Sequence, residues 1–212
     1  MFLKLRRALL VYIRENLGIY TLVVSFFLVG IIAGALLLRF LGEGQLTELK
    51  STLTFFFESL KSENLTALHP VALLRASFRK NILFLLIIWL LGLVWFGFPL
   101  ILLCLTFKGF ALGFTAAFLV RLVALKGIIF CLAALLPQNL ILIPAYIAAV
   151  TTATAFSLLK FNDRLAKKQI DRSHYYRRYC YFMFMTLVVI LAGGLVEAYI
   201  TPVFMQLSVS II

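Results

Sequence analysis

The chain has 212 residues, 64% of them hydrophobic and 13% charged, with 20 Lys and Arg against 8 Asp and Glu and a net charge of +12. A soluble domain is nearer half apolar and a quarter charged. The composition therefore excludes most soluble enzyme classes, and no hydrophilic stretch reaches the ~100 residues that an independent catalytic domain takes. The basic excess then concerns membrane topology and anionic lipid rather than nucleic acid.

Residues 2–17 mix apolar and basic positions at helical spacing, with Lys4, Arg6, Arg7 and Arg14 among them. They read either as an amphipathic helix lying on the inner membrane face or as a basic flank that sets orientation. The charges are too dense for the apolar core of a cleavable signal peptide. Four apolar blocks follow, at 19–41, 82–107, 127–159 and 179–200, with a fifth at 110–125 interrupted by Arg121. Each is long enough, or nearly so, to span a bilayer, which takes about 20 residues. The expected fold is all-α, a single polytopic membrane domain over 1–212 with about five transmembrane helices.

Within the first block, Gly30 and Gly34 form a small-xxx-small pattern that lets helix backbones approach closely. In the loop 42–80, Leu46, Leu49, Leu53, Phe56, Phe57 and Leu60 fall on one helical face. This predicts an amphipathic helix at 46–60, with Thr47 as its cap. It reads as a helix lying in the outer interface or as a docking surface for a partner's helix. A further helical stretch at 70–80 leads into the second span, read as 81–107, where Pro99 should kink or break the helix near Phe98. Lys108 reads as a tight turn at the inner surface, followed by a third span holding Gly109 and Gly113.

The block 127–159 has 33 residues without a charge. A straight helix of that length, about 50 Å at 1.5 Å per residue, exceeds a ~30 Å hydrocarbon core. Pro137 and Pro144 lie inside it with Gln138 and Asn139 between them, so the expectation is a broken helix whose freed backbone groups the two amides can satisfy. The segment 160–178 carries seven Lys and Arg and is the strongest positive-inside signal. Five crossings with the N-terminus inside put 160–178 inside, the loop 42–80 outside and the C-terminus outside.

Chemistry is sparse. Cys104, Cys131 and Cys180 have neither a pairing pattern nor metal-ligand spacing. His69 and His174 have no predictable carboxylate or thiol partner, and no catalytic, nucleotide or cofactor motif appears. No catalytic, cofactor or metal residue is assigned. Intramembrane ionisable groups are the default functional suspects. Glu197 is the one acid inside an apolar block, read either as an ion or subunit-contact site or as an interface residue paired with Arg121 or Lys126.

Three segments together carry a resemblance: residues 107–115 (FKGFALGFT), Leu136-Pro137-Gln138-Asn139 with Ile143-Pro144-Ala145, and Glu197-Ala198-Tyr199-Ile200-Thr201-Pro202. With the basic N-terminus and the hydropathy layout, they resemble stage II sporulation protein M of endospore-forming bacteria over essentially the whole chain. The resemblance implies a non-enzymatic role in engulfment of the forespore, anchoring two peptidoglycan-degrading partners, stage II sporulation proteins D and P, at the septal membrane. It also implies residence in the sporulation septum or the mother-cell engulfing membrane. In the wider family a His-Gly and Glu arrangement occupies the segment that here reads Pro137-Gln138-Asn139, so chemistry through that Glu is not open to this chain.

The leading expectation is thus a membrane scaffold that recruits wall hydrolases through its outer surface and spans. The alternative is a transporter or channel component, supported by the 127–159 element and Glu197. Two small-xxx-small patterns favour a homodimer with Gly30 and Gly34, or Gly109 and Gly113, at a close contact.

Overall fold

The computed structural model describes residues 17–42, 44–45, 47–51, 54, 70–165 and 173–209. The proposed helix at 2–17 lies outside the described residues, apart from Leu17. So do Leu46, Leu53, Phe56, Phe57 and Leu60 of the proposed outer face. Among the described residues every regular element is a helix: α1 (Leu17–Leu37), α2 (Pro70–Leu93), α3 (Gly97–Leu165), α4 (Ser173–Leu195), a π-helical turn (Val196–Ile200) and α5 (Thr201–Val209). Five stretches among the described residues are long and apolar enough to cross a membrane: Leu17–Leu37, Val71–Leu93, Gly97–Arg121, Cys131–Arg164 and Ser173–Met205. The all-α, five-span architecture read from hydropathy is the architecture found.

The span boundaries differ from the sequence reading. Residues 70–80 are the opening turns of the second span, with Pro70 at its first position, where the missing N–H costs nothing. The span ends at Leu93, and a short turn through Val94, Trp95 and Phe96 leads to α3. Pro99 therefore sits in the first turn of a new helix and kinks nothing. Side chains of α3 hold this turn. Ser157 Oγ donates to the Val94 carbonyl at 2.8 Å, and Lys160 Nζ donates to the Leu93 carbonyl at 2.6 Å. A cation on the last carbonyls of a helix also complements its dipole. Trp95 stacks on Phe161 with ring centroids 6.0 Å apart, and Arg164 lies 4.8 Å above the Trp95 ring.

Helical structure is continuous from Gly97 to Leu165. A straight helix of that length would be about 100 Å long. Yet Phe98 packs on Phe161 at 5.9 Å, and Lys108 lies over Tyr146. The element therefore doubles back between Arg121 and Cys131 into two antiparallel arms. This corrects two expectations. Lys108 is not a turn but the middle of the first arm, and the helix runs unbroken through Pro137 and Pro144. Gln138 Nε2 donates to the Ala134 carbonyl at 3.3 Å, next to the Ala133 carbonyl, which is the one that Pro137 leaves without its i→i−4 donor.

The second arm is the centre of the bundle. Its most apolar window is 61% buried, against 22–33% for the other spans. Ala145, Ala149, Val150 and Ala153 meet Leu85, Ile88, Ile101, Leu105, Met183 and Ile190 in one core. Small residues bring neighbouring backbones close, and close packing is what holds helices together where lipid removes the hydrophobic incentive. Tyr179 stacks on Phe156 at 4.4 Å, and its hydroxyl donates to the Trp89 carbonyl at 2.8 Å.

The two small-xxx-small patterns meet each other inside the chain. A Cβ at Gly30 would collide with the Thr106 carbonyl, and one at Gly34 with the Phe110 carbonyl. Added to Gly109 or Gly113, it would strike the carbonyl of Phe27 or Ile31. The first arm of α3 lies backbone to backbone on α1, so these glycines face one another rather than a second copy. Arg121 Nη1 closes the far end of this pair by donating to the Leu38 carbonyl at 2.6 Å.

Candidate intramembrane polar site

Ser77, Lys80, Asn81 and Phe84 lie at i, i+3, i+4 and i+7 of α2, a spacing that puts all four on one helix face. That face meets the π-helical turn of the last span, which carries Glu197. The turn has a local cause. Pro202 has no N–H to give the Ala198 carbonyl, and the ladder shifts by one residue, so that the Thr201 N–H bonds the Val196 carbonyl. Thr201 Oγ1 reaches the same carbonyl at 3.3 Å. Such turns inside α-helices frequently mark functional positions. Just before it, Gly194 lies so close to α2 that a Cβ there would stand 2.9 Å from the Phe78 ring.

Glu197 is thereby held against three donors of α2. Lys80 Nζ donates to Oε1 at 2.5 Å, and Ser77 Oγ and Asn81 Nδ2 donate to Oε2 at 2.6 and 3.0 Å. Asn81 is 1% exposed. Its amide also donates to Ser77 Oγ at 3.2 Å, and its Oδ1 accepts from the Tyr146 hydroxyl at 2.7 Å. The network thus links α2, the last span and the central arm of α3. Glu197 is paired with Lys80. Of the partners that one sequence reading offered, Arg121 is engaged at the end of α1 and the side chain of Lys126 lies outside what the structure describes.

Beside this network lies a cleft of ≈ 450 Å³ between the arms of α3, lined among others by Lys80, Lys108, Thr115, Gln138, Asn139 and Glu197. Lys108 Nζ sits 4.2 Å from the Phe84 ring centroid and 3.7 Å from that of Tyr146. Those rings pack edge to face at 5.0 Å. Aromatic faces partly replace water around a cation, but no carboxylate lies within ion-pair distance of Lys108 among the described residues. The cleft carries two ammonium groups against one carboxylate.

Of the residues singled out from sequence, Glu197, Gln138 and Asn139 come together at this cleft, while Pro137 and Pro144 do not line it. Gln138 Oε1 is buried without a partner. Leu49 lies elsewhere, lining a recess of ≈ 570 Å³ with Leu37, Phe40 and Phe114. Sequence reasoning missed Ser77, Lys80, Asn81, Lys108 and Tyr146. Assigning 70–80 to a loop removed Ser77 and Lys80 from the membrane, and Asn81 stood at the first position of the second span. The pattern that could have restored Lys108 was its own neighbour: Gly109 and Gly113 pack as a pair only if the helix runs through them.

The cysteines are free and scattered, and His174 Nδ1 lies 3.0 Å from Arg177 Nη2. Among the described residues no group of three or more His, Cys, Asp or Glu is placed to hold a metal. A family model described as stage II sporulation protein M matches residues 23–202. No curated protein and no solved structure matches the chain.

Proposed function

Because the chain belongs to the stage II sporulation protein M family, a family of sporulation membrane proteins, we propose that it is a non-enzymatic scaffold. It anchors peptidoglycan-degrading partners, stage II sporulation proteins D and P, at the septal or engulfing membrane. The observation that supports this reading is the state of Glu197: both carboxylate oxygens are taken up by donors of a neighbouring helix. An acid so engaged fastens the bundle, with three of its four lone-pair directions filled by donors of α2. The surfaces open to partners include the lipid-facing helices and the 38–70 segment. A homodimer, if it forms, uses one of these faces and not the glycines, which are occupied within the chain.

The test is copurification in mild detergent. The intact chain is expected to retain both hydrolase partners. Leu53→Glu with Phe57→Glu is expected to lose them while inserting normally, and absence of any association with the intact chain removes the reading. A second reading, a transport component, is favoured by the charged cleft alone. Solute flux in liposomes above that of empty vesicles would support it.

A further inference from the structure

We infer that the cleft between the arms of α3 binds the phosphate headgroup of an anionic lipid, with Lys108 as its principal cation. This inference is independent of the scaffold reading.

Three observations carry it. The first is charge. Among the described residues Lys108 is an intramembrane ammonium without a carboxylate in ion-pair distance, beside an ion pair that is already closed, so the described lining of the cleft has a surplus positive charge. Charges in a membrane interior are almost always paired or solvated, and two aromatic faces supply only part of that. The second is position. Lys108 is near the middle of its span, about 20 Å of helix from Arg121, whereas Thr115, on the same wall, is about 9 Å from it. The cleft thus runs from mid-membrane towards the helix ends, where headgroups lie. The third is the mouth. Phe107 lines the cleft and is 70% exposed, and Leu103, one turn earlier on the same face, is 64% exposed. An opening on the hydrocarbon side admits a molecule whose tail remains in lipid, while a water-soluble anion would have to cross that layer.

The volume suits a headgroup and the first methylenes of a chain, within the range of small-molecule sites. A partner helix, about 10 Å across, does not enter it. Asn139 on the opposite wall brings an amide N–H donor for phosphate oxygens, and charge-assisted bonds of this kind are the strong ones.

The experiment uses the full chain in a neutral maltoside detergent and follows adducts by native mass spectrometry. The probes are hexadecyl phosphate, hexadecanol and inorganic phosphate. One hexadecyl phosphate per chain is expected, with at least tenfold weaker binding of the other two. Lys108→Gln should weaken binding at least tenfold and Lys108→Arg should retain it. Thr115→Trp, which keeps every charge but fills the cleft, should also abolish it, and Lys50→Gln, outside the cleft, should change nothing. Helix content and monodispersity verify that each variant is folded. Equal binding of hexadecanol, inorganic phosphate binding as tightly as the lipid, or an unchanged Lys108→Gln would each overturn the inference. Absence of binding to the intact chain would also overturn it and leave an acidic side chain of a partner helix as the counter-charge.

Discussion

Asn81 uses every hydrogen-bonding group its side chain has: the carbonyl accepts from Tyr146, and the amide donates to Glu197 and Ser77. A buried group stripped of its partner loses more than an average hydrogen bond contributes. Tyr146→Phe should therefore destabilise the protein by about 1–3 kcal/mol, measured by unfolding in mixed micelles; a change within error would mean that the Asn81 carbonyl finds water instead. The ion pair should respond asymmetrically. The Lys80 side chain is 61% exposed and that of Glu197 17%. Lys80→Gln leaves an amide N–H within reach of Oε1 and keeps the Ser77 and Asn81 bonds, so it should cost the less of the two, about 1–3 kcal/mol. Glu197→Leu strands Ser77 and Asn81 as well as Lys80 and should cost about 3–5 kcal/mol. Equal losses in the two variants would show that the lysine is as enclosed as the acid. From sequence, Glu197 stood out because a carboxylate in an apolar block is conspicuous. Ser77 did not, since a small polar residue near a basic flank looks like loop, and Asn81, at the first position of the span as read, passed for its boundary.

At the scale of elements, the contact between α1 and the first arm of α3 depends on four glycines at which the other backbone occupies the space of a side chain. Gly34→Leu should separate the two helices and lower the yield of folded protein severalfold, since overpacking alone costs about 1–3 kcal/mol. Gly18→Ala, with nothing within 4 Å of the added carbon, should leave yield unchanged. Detergent-solubilised monodisperse protein is the quantity to compare. Both glycine pairs were visible as spacing in the sequence. That they choose each other was not, because spacing describes one helix and says nothing of which face it meets. The prolines misled for a related reason. Pro137 and Pro144 are breakers by local rule, but they lie in the most enclosed helix of the bundle, where surrounding contacts keep the chain helical. The true reversal, between Arg121 and Cys131, carries no proline at all.

For the whole molecule, hydropathy alone gave the number of crossings, since apolar length is what a bilayer demands. It misplaced the boundaries of spans two and three because Lys80 and Lys108 were read as flanking charges. A lysine in a membrane resembles a lysine beside one until its partner is known. Five alternating crossings put the turn at 94–96 on the side of the N-terminus and of 166–172, and residues 38–70 on the other. With the basic segments inside, a membrane-impermeant maleimide should label Gln45→Cys but not Trp95→Cys in intact cells, in a background free of other cysteines. The reverse pattern would invert the topology.

Lys108 also bears on how the protein is made. A lysine at the centre of a span disfavours its insertion by about 2.5–3.5 kcal/mol, and the rings that shelter this one belong to α2 and to the second arm of α3. Phe84 has already left the ribosome when the first arm emerges, but Tyr146 has not. The first arm should thus remain poorly committed to the bilayer until the second follows it. A chain truncated at residue 130 is expected to insert its third span inefficiently, whereas one extended past residue 165 inserts both arms together.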